Sequence, residues 1–149
     1  MHDRRARCGR RVTREIEDVI GLDTNVLVRY VMQDDPRQSP RATRLIESFT
    51  TEHPGFVSVV ALIELVWVLS GSYGLGRAQV VTVLELLLRS KELVVDQAAV
   101  VALAARRFAD EGADFADALI ERLGATAGCE ATMSFDLGAL KTAGMRPVP

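Results

Sequence analysis

The sequence predicts an α/β fold built on a central parallel sheet of about four to five strands. Short apolar runs alternate with longer helical segments along the chain, and strands separated by helices pair in parallel through crossover connections. The run LVV at 93–95 is apolar without alternation, which is typical of a sheet covered on both faces. With 149 residues, 48% of them hydrophobic, the chain has enough material for the core of one domain.

The individual elements follow from these runs and from the glycines and prolines between them. The predicted strands are Ile20–Leu22, Phe56–Val59, Leu93–Val95 and Ala131–Phe135. The predicted helices cover 24–32, 38–49, 60–70, 77–89, 97–110 and 114–127, and a helix-like stretch follows Asp136. The segment GSYGLG at 71–76 is predicted to connect two helices, because it follows a helix and lacks the spacing of a phosphate-binding loop.

The N-terminal segment 1–18 differs in composition from the rest of the chain. It holds six Arg and four acids, so it carries +2 while the remainder carries −4. We predict a flexible basic extension at 1–18, followed by a folded domain at 19–149. Two other interpretations of the segment stay open, an arm that grips nucleic acid and an upstream extension of the reading frame.

Composition also argues against several classes of protein. Cys8 and Cys129 fit neither a zinc-binding pattern nor a disulfide framework. No apolar run reaches the about 18 residues of a membrane span, and no long apolar stretch follows the basic N-terminus as in a signal peptide. We therefore expect a soluble, cytoplasmic protein with free thiols.

Two acids directly follow predicted strands. Asp23 comes after VIGL, and Asp136 comes after ATMSF. Open parallel sheets bind ligands at the carboxyl ends of their strands, so both acids are candidate site residues. Each is also suited to cap the helix that follows, and one residue can fill both roles.

Three further acids lie in predicted helices. Glu64 is the only ionisable residue of VVALIELVWVLSG, so we expect it to be buried and compensated by a cation, with a salt bridge as the alternative. Asp114 and Asp117 are three residues apart and share a face near the start of their helix. A solvated acidic stripe is the plainer explanation for that pair.

Such a set of carboxylates is suited to metal chemistry. Clustered carboxylates repel one another and stay ionised with the help of cations, and hard oxygen ligands select Mg²⁺ or Mn²⁺. This arrangement supports metal-assisted hydrolysis of phosphodiester bonds. A phosphoacceptor receiver domain also gathers acids at strand ends, but the chain has no matching Lys after the late strand, and such a domain gives Glu64 no role.

Four motifs in order resemble those of a known family. IGLDTNVLVRY, FVSVVALIELVWVLSGSYGL, GADFADALI and SFD are similar to the motifs of the PIN-domain ribonucleases, and more narrowly of the VapC toxins of bacterial toxin–antitoxin pairs. The resemblance covers about residues 19–148. It implies an α/β/α sandwich, a Mg²⁺- or Mn²⁺-dependent endoribonuclease, an RNA substrate, a homodimer and inhibition by a VapB-like antitoxin. The alternatives are a PIN nuclease of RNA maturation and a catalytically silent PIN-like interaction module.

The resemblance also implies roles for individual residues. The residues that match the family's catalytic acids are Asp23, Glu64, Asp117 and Asp136. The expected metal ligands are Asp23, Asp114, Asp117 and Asp136. Thr24 and Asn25 match positions that orient the acids by hydrogen bonding, and Arg29 is expected to contact RNA or the antitoxin. Apart from the resemblance, binding of a polyanion needs basic residues around the pocket, and the further candidates are Arg37, Arg41, Arg44 and Arg77. Ordinary solvated helix faces are the alternative explanation for them.

Overall fold

A computed structural model describes residues 18–149 of the chain. By their contacts these residues divide into two compact units. Unit 1 comprises the described residues up to Val68 together with Leu86–Asp96, and unit 2 comprises Leu69–Glu85 and Gln97–Pro149. The prediction of a flexible basic extension at 1–18 lies, apart from Asp18, outside the described residues.

Unit 1 contains a parallel sheet in the order β1-β2-β3. The strands are β1 (Ile20–Gly21), β2 (Gly55–Val57) and β3 (Leu93–Val95). Ile20 pairs with Gly55, and Gly55 pairs in turn with Leu93, so β2 is central. Because all three strands run the same way, their carboxyl ends meet at one edge of the sheet, and Asp23 lies just beyond β1 at that edge.

The described residues form seven helices. Their bounds are α1 (Thr24–Met32), α2 (Gln38–Glu47), α3 (Val59–Gly71), α4 (Arg77–Arg89), α5 (Ala98–Asp110), α6 (Phe115–Thr126) and α7 (Leu137–Thr142). The six predicted helices and the helix-like stretch after Asp136 are thus present, with ends within two residues of the prediction. The prediction of an α/β fold with a parallel sheet is confirmed.

The core of unit 1 forms where the central strands meet the helices. Val57 of β2 is fully buried, and Leu93 and Val95 of β3 are buried beside it. Gly55 allows a close approach, since a Cβ there would lie 2.5 Å from a ring carbon of Phe49 and 3.0 Å from a methyl group of Leu93. A larger residue at this position of β2 would displace the Phe49 ring from the sheet.

Unit 2 is held together by the packing of α5 against α6. The rings of Phe108 on α5 and Phe115 on α6 meet edge to face, with centroids 6.3 Å apart. The guanidinium of Arg77 lies over the Phe108 ring at 4.4 Å, and its Nη1 donates to the carbonyls of Phe108 (3.0 Å) and Ala113 (2.8 Å). These contacts occupy Arg77, which we had expected to be available for RNA.

The number of strands in the sheet differs from the expectation. The sheet of unit 1 has three strands in the described residues, so four to five strands are not confirmed. Instead, β4 (Met133–Ser134) pairs in parallel with β5 (Arg146–Pro147), and both lie in unit 2. The pairing partner was missed because β5 is two residues long and contains a proline, which sequence patterns count against a strand.

None of the helices formed by residues 18–149 is long and apolar enough to cross a membrane.

Candidate functional site

The predicted site residues fall into two groups, one in each unit. Asp23, Thr24, Asn25, Arg29 and Glu64 belong to unit 1, whereas Asp114, Asp117 and Asp136 belong to unit 2.

In unit 1, Asp23 is the N-cap of α1. Its Oδ1 accepts a hydrogen bond from the backbone N–H of Thr24 at 2.8 Å. Its Oδ2 has no hydrogen bond to any described residue, and the side chain is exposed. The interpretation as a helix cap is therefore correct, and it leaves one carboxylate oxygen available to a ligand.

The position of Glu64 differs from the sequence-based prediction. The prediction that it is buried is wrong, since Glu64 is exposed on α3, with Val60 and Trp67 on the same face 66% and 77% exposed. The buried face of α3 is formed by other apolar residues, among them Leu62 and Leu65. The all-apolar sequence of α3 did not reveal this, because an apolar side chain is not necessarily a buried one.

Thr24 joins the two acids of unit 1. Its hydroxyl donates to Oε1 of Glu64 at 3.1 Å, while its backbone N–H donates to Asp23. Thr24 itself is only 8% exposed, so its hydroxyl holds a defined direction. One buried residue therefore positions two carboxylates that are 41 positions apart in the sequence.

Unit 2 places two more acids at helix starts. Asp114 is the N-cap of α6, and its Oδ1 accepts from the backbone N–H of Asp117 at 2.9 Å. Asp136 is the N-cap of α7, and its Oδ1 accepts from the N–H of Gly138 at 3.2 Å. As with Asp23, Oδ2 of both caps has no hydrogen bond to a described residue.

The three acids of unit 2 interact electrostatically. Burial raises the pKa of the Asp117 carboxyl above its ordinary value, and the negative charges of Asp114 and Asp136 raise it further. Phe135 and Leu137, which flank Asp136, are 85% and 72% exposed, so this acid lies on an open surface. The group thus concentrates negative charge where a cation from solvent has access.

The donor chemistry of these acids fits a hard divalent cation. The candidate ligands are carboxylates only, and Mg²⁺ and Mn²⁺ prefer such oxygen ligands. No three Asp, Glu, His or Cys side chains within residues 18–149 are close enough together to hold a metal ion as they stand. Because carboxylates without a cation repel one another, binding requires the side chains to turn toward the ion.

A comparison with protein families decides which family the chain belongs to. The family model described as "PIN domain" matches residues 20–144. The chain is a PIN-domain protein. PIN domains are generally nucleases, and the matched range of this one contains Asp23, Glu64, Asp114, Asp117 and Asp136. No curated protein matches the chain.

The PIN domain also contains a feature that sequence reasoning did not find, a groove between α1 and α2. Its lining includes Asn25 and Arg29 from α1, and Gln38 and Arg41 from α2. Arg29 donates to Oε1 of Gln38 at 3.0 Å and pairs with Asp34 at 3.1 Å. The sequence signal that points to the groove is the spacing of the arginines in α2, which places them on one helix face.

The raised pKa of Asp117 predicts a pH-dependent contribution to the stability of the PIN domain. A carboxyl whose pKa is raised by folding binds its proton more tightly in the folded state, so the free energy of unfolding falls as the pH rises from about 4. We expect Asp117→Asn to be more stable than the wild type at neutral pH in metal-free buffer, and this advantage to vanish near pH 4. Thermal unfolding in EDTA across this range measures it.

The matched control for this prediction is Asp110→Asn, which changes an exposed acid that forms no ion pair with a described residue. It should follow the wild type at every pH. Parallel curves for Asp117→Asn and the wild type would contradict the raised pKa.

Proposed function

We propose that this PIN domain is a metal-dependent endoribonuclease that hydrolyses RNA phosphodiester bonds with Mg²⁺ or Mn²⁺. The observation that carries the proposal is the shared arrangement of Asp23, Asp114 and Asp136, each of which caps a helix with Oδ1 and keeps Oδ2 available. A purely structural cap needs no further acid beside it, whereas Asp117 is held next to two other carboxylates at a cost in charge repulsion.

The proposal assigns a role to each acid. The proposed metal ligands are Asp23, Asp114, Asp117 and Asp136, and the proposed catalytic acids are Asp23, Glu64, Asp117 and Asp136. When bound, a divalent cation activates water for attack on phosphorus and neutralises charge on the phosphate. The chain itself positions these acids: the helix caps hold three aspartates by one oxygen each, and Thr24 holds Glu64.

Thr24 offers a test of this orientation. Thr24→Val keeps the shape of the buried side chain but removes the hydroxyl that donates to Glu64. We expect RNA cleavage to fall about 10- to 100-fold, the usual effect of losing a group that orients a metal-site residue. The matched control is Thr24→Ser, which keeps the hydroxyl and should retain most of the activity. Equal losses in both variants, or in neither, would argue against an orienting role.

The proposal as a whole is tested by incubating the purified protein with total cellular RNA. We expect cleavage in Mg²⁺ or Mn²⁺ and none in EDTA, with activity restored when the metal is returned. Cleavage that persists in EDTA would contradict metal dependence. Absence of cleavage with either metal would favour the catalytically silent interaction module.

We further propose that the protein is the toxin of a type II toxin–antitoxin pair, acts in the cytoplasm as a homodimer, and is neutralised by a VapB-like antitoxin. The exposed face of α3 supports a protein partner, because Val60 and Trp67 are large apolar residues left mostly in solvent. Induced expression of the wild type should arrest growth, and Asp23→Asn should not. Cleavage in vitro without growth arrest would favour the alternative of a nuclease in RNA maturation.

A further inference from the structure

We propose that the groove between α1 and α2 seats one nucleotide of single-stranded RNA, with its base in the groove and its phosphate on the arginines of α2. The inference rests on the proposed ribonuclease function and adds to it a substrate subsite.

The dimensions and the lining of the groove suit a nucleotide. Its volume is about 380 Å³, which lies within the range of about 300–1,000 Å³ found for small-ligand sites. Val26, Ala42 and Leu45 supply apolar surface against which a base can lie. Asn25 and Gln38 supply amide groups at the same groove, and amides both donate and accept hydrogen bonds, as the edges of bases do.

A stripe of arginines borders the groove on α2. Arg37, Arg41 and Arg44 follow one another at spacings of four and three residues, so they lie on one face of the helix. All three side chains are exposed, and none forms an ion pair with a described residue. Arg41 also lines the groove. This local concentration of positive charge is hidden in the net charge of −2 for the whole chain.

The nearest acids are already engaged at the start of α2. Oδ1 of Asp35 accepts hydrogen bonds from the backbone N–H groups of Arg37 and Gln38, and those bonds lower its pKa. Asp34 pairs with Arg29. Further along α2, Glu47 follows Arg44 by three residues, but neither Arg41 nor Arg44 forms an ion pair with a described residue, so their charge is available to a phosphate.

The position of the groove connects it to the proposed reaction. Asn25 is the second residue of α1, and Asp23 is the cap of the same helix. Arg29 lies one turn after Asn25 on the same helix face. The groove and the proposed catalytic acid Asp23 are therefore carried by the same helix, two residues apart at its start.

Charge favours RNA over a protein as the occupant. A helix or peptide docking here would need a continuous apolar surface, whereas the polar or basic side chains of Arg29, Arg41 and two amides stand among the apolar side chains of the lining. Single-stranded RNA combines the required parts, since each unit carries a flat base with polar edges and one negative phosphate.

The test measures binding in the absence of cleavage. The probe is a fluorescein-labelled oligouridine of about 12 nucleotides, within the usual range of single-stranded binding sites. The probe is titrated with the Asp23→Asn protein and with double variants that add Arg41→Ala or Arg44→Ala to it. Fluorescence anisotropy of the label measures binding at several salt concentrations. Arg106→Ala in the same background is the matched control, because Arg106 is an exposed arginine of unit 2 without an ion pair to a described residue.

We expect Arg41→Ala to weaken binding about tenfold, as loss of one charge-assisted contact does, and to lower the salt slope by about 0.7. Arg106→Ala should leave the affinity unchanged. An oligonucleotide of equal charge with abasic sites should bind more weakly than oligouridine, because the groove would have no base to hold.

Three results would overturn the proposal. Equal losses for Arg41→Ala and Arg106→Ala would indicate diffuse charge attraction, and equal affinity for the abasic probe would exclude a base in the groove. Unchanged RNA binding by Arg41→Ala, together with loss of a co-purifying acidic protein, would assign the groove to a protein partner. Because cleavage is not measured, failure of the ribonuclease proposal would appear separately, as inactive wild-type protein.

Discussion

Replacing Asp23 with asparagine is expected to reduce the rate of RNA cleavage by more than about 100-fold. Removing a group that only orients a metal ligand already lowers metal affinity or activity by about 10- to 100-fold, and the loss of a proposed ligand should be larger. The stability of the fold should stay close to that of the wild type. Asp23 caps α1 through Oδ1, and asparagine caps helices as well as aspartate does. The initial rate of cleavage in Mg²⁺ and the midpoint of thermal unfolding measure the two parts of the expectation.

The matched control for Asp23→Asn is Glu47→Gln, which removes one exposed negative charge at the end of α2 in the same unit. It should cleave like the wild type. If Asp23→Asn keeps its activity, the assignment of Asp23 to the site is wrong. If it loses activity only because it unfolds, the thermal midpoint will show a large fall that the proposal does not allow.

Replacing Phe115 with alanine is expected to lower the free energy of unfolding by about 3–5 kcal/mol, the usual loss for a buried aromatic residue. Phe115 is only 1% exposed and packs edge to face on Phe108. In a chain of this size the loss corresponds to a fall of roughly 6–20 °C in the thermal midpoint. Because Phe115 directly follows Asp114 at the start of α6, the acids of unit 2 should also lose their alignment.

The control for Phe115→Ala is Ile120→Ala on the same helix, where the side chain is 51% exposed. Its thermal midpoint should stay close to that of the wild type. A small shift for Phe115→Ala would mean that the packing of α5 on α6 contributes less than its burial indicates.

Most of the fold was accessible from the sequence because its elements are long and strongly patterned. The helices at 24–32 and 77–89 coincide with α1 and α4, and their starts are marked in the sequence by Asp23 and Gly76. The strand pairing was less accessible. β5 is only Arg146–Pro147, and such a short segment carries no periodicity that predicts its pairing with β4.

For the candidate site, the positions of the acids at helix starts were easier to predict than their surroundings. Acids that follow apolar runs could be found from strand and helix patterns, and the caps formed by Asp23 and Asp136 were foreseen as one of two roles. The exposure of Glu64 was not foreseen, because burial depends on which face of α3 the rest of the chain covers. The hydrogen bond from Thr24 to Glu64 likewise depends on tertiary contacts between α1 and α3.

The double use of the capping aspartates has a consequence for how such a protein evolves. A change from aspartate to asparagine needs one nucleotide substitution in the codon, and at a helix cap it leaves stability almost untouched. Selection for a folded, abundant protein therefore does not protect the charge at Asp23, Asp114 or Asp136. Under the proposed function, inactive descendants can arise in a single step and persist as folded proteins, so only selection for that activity would keep the carboxylates at all three caps.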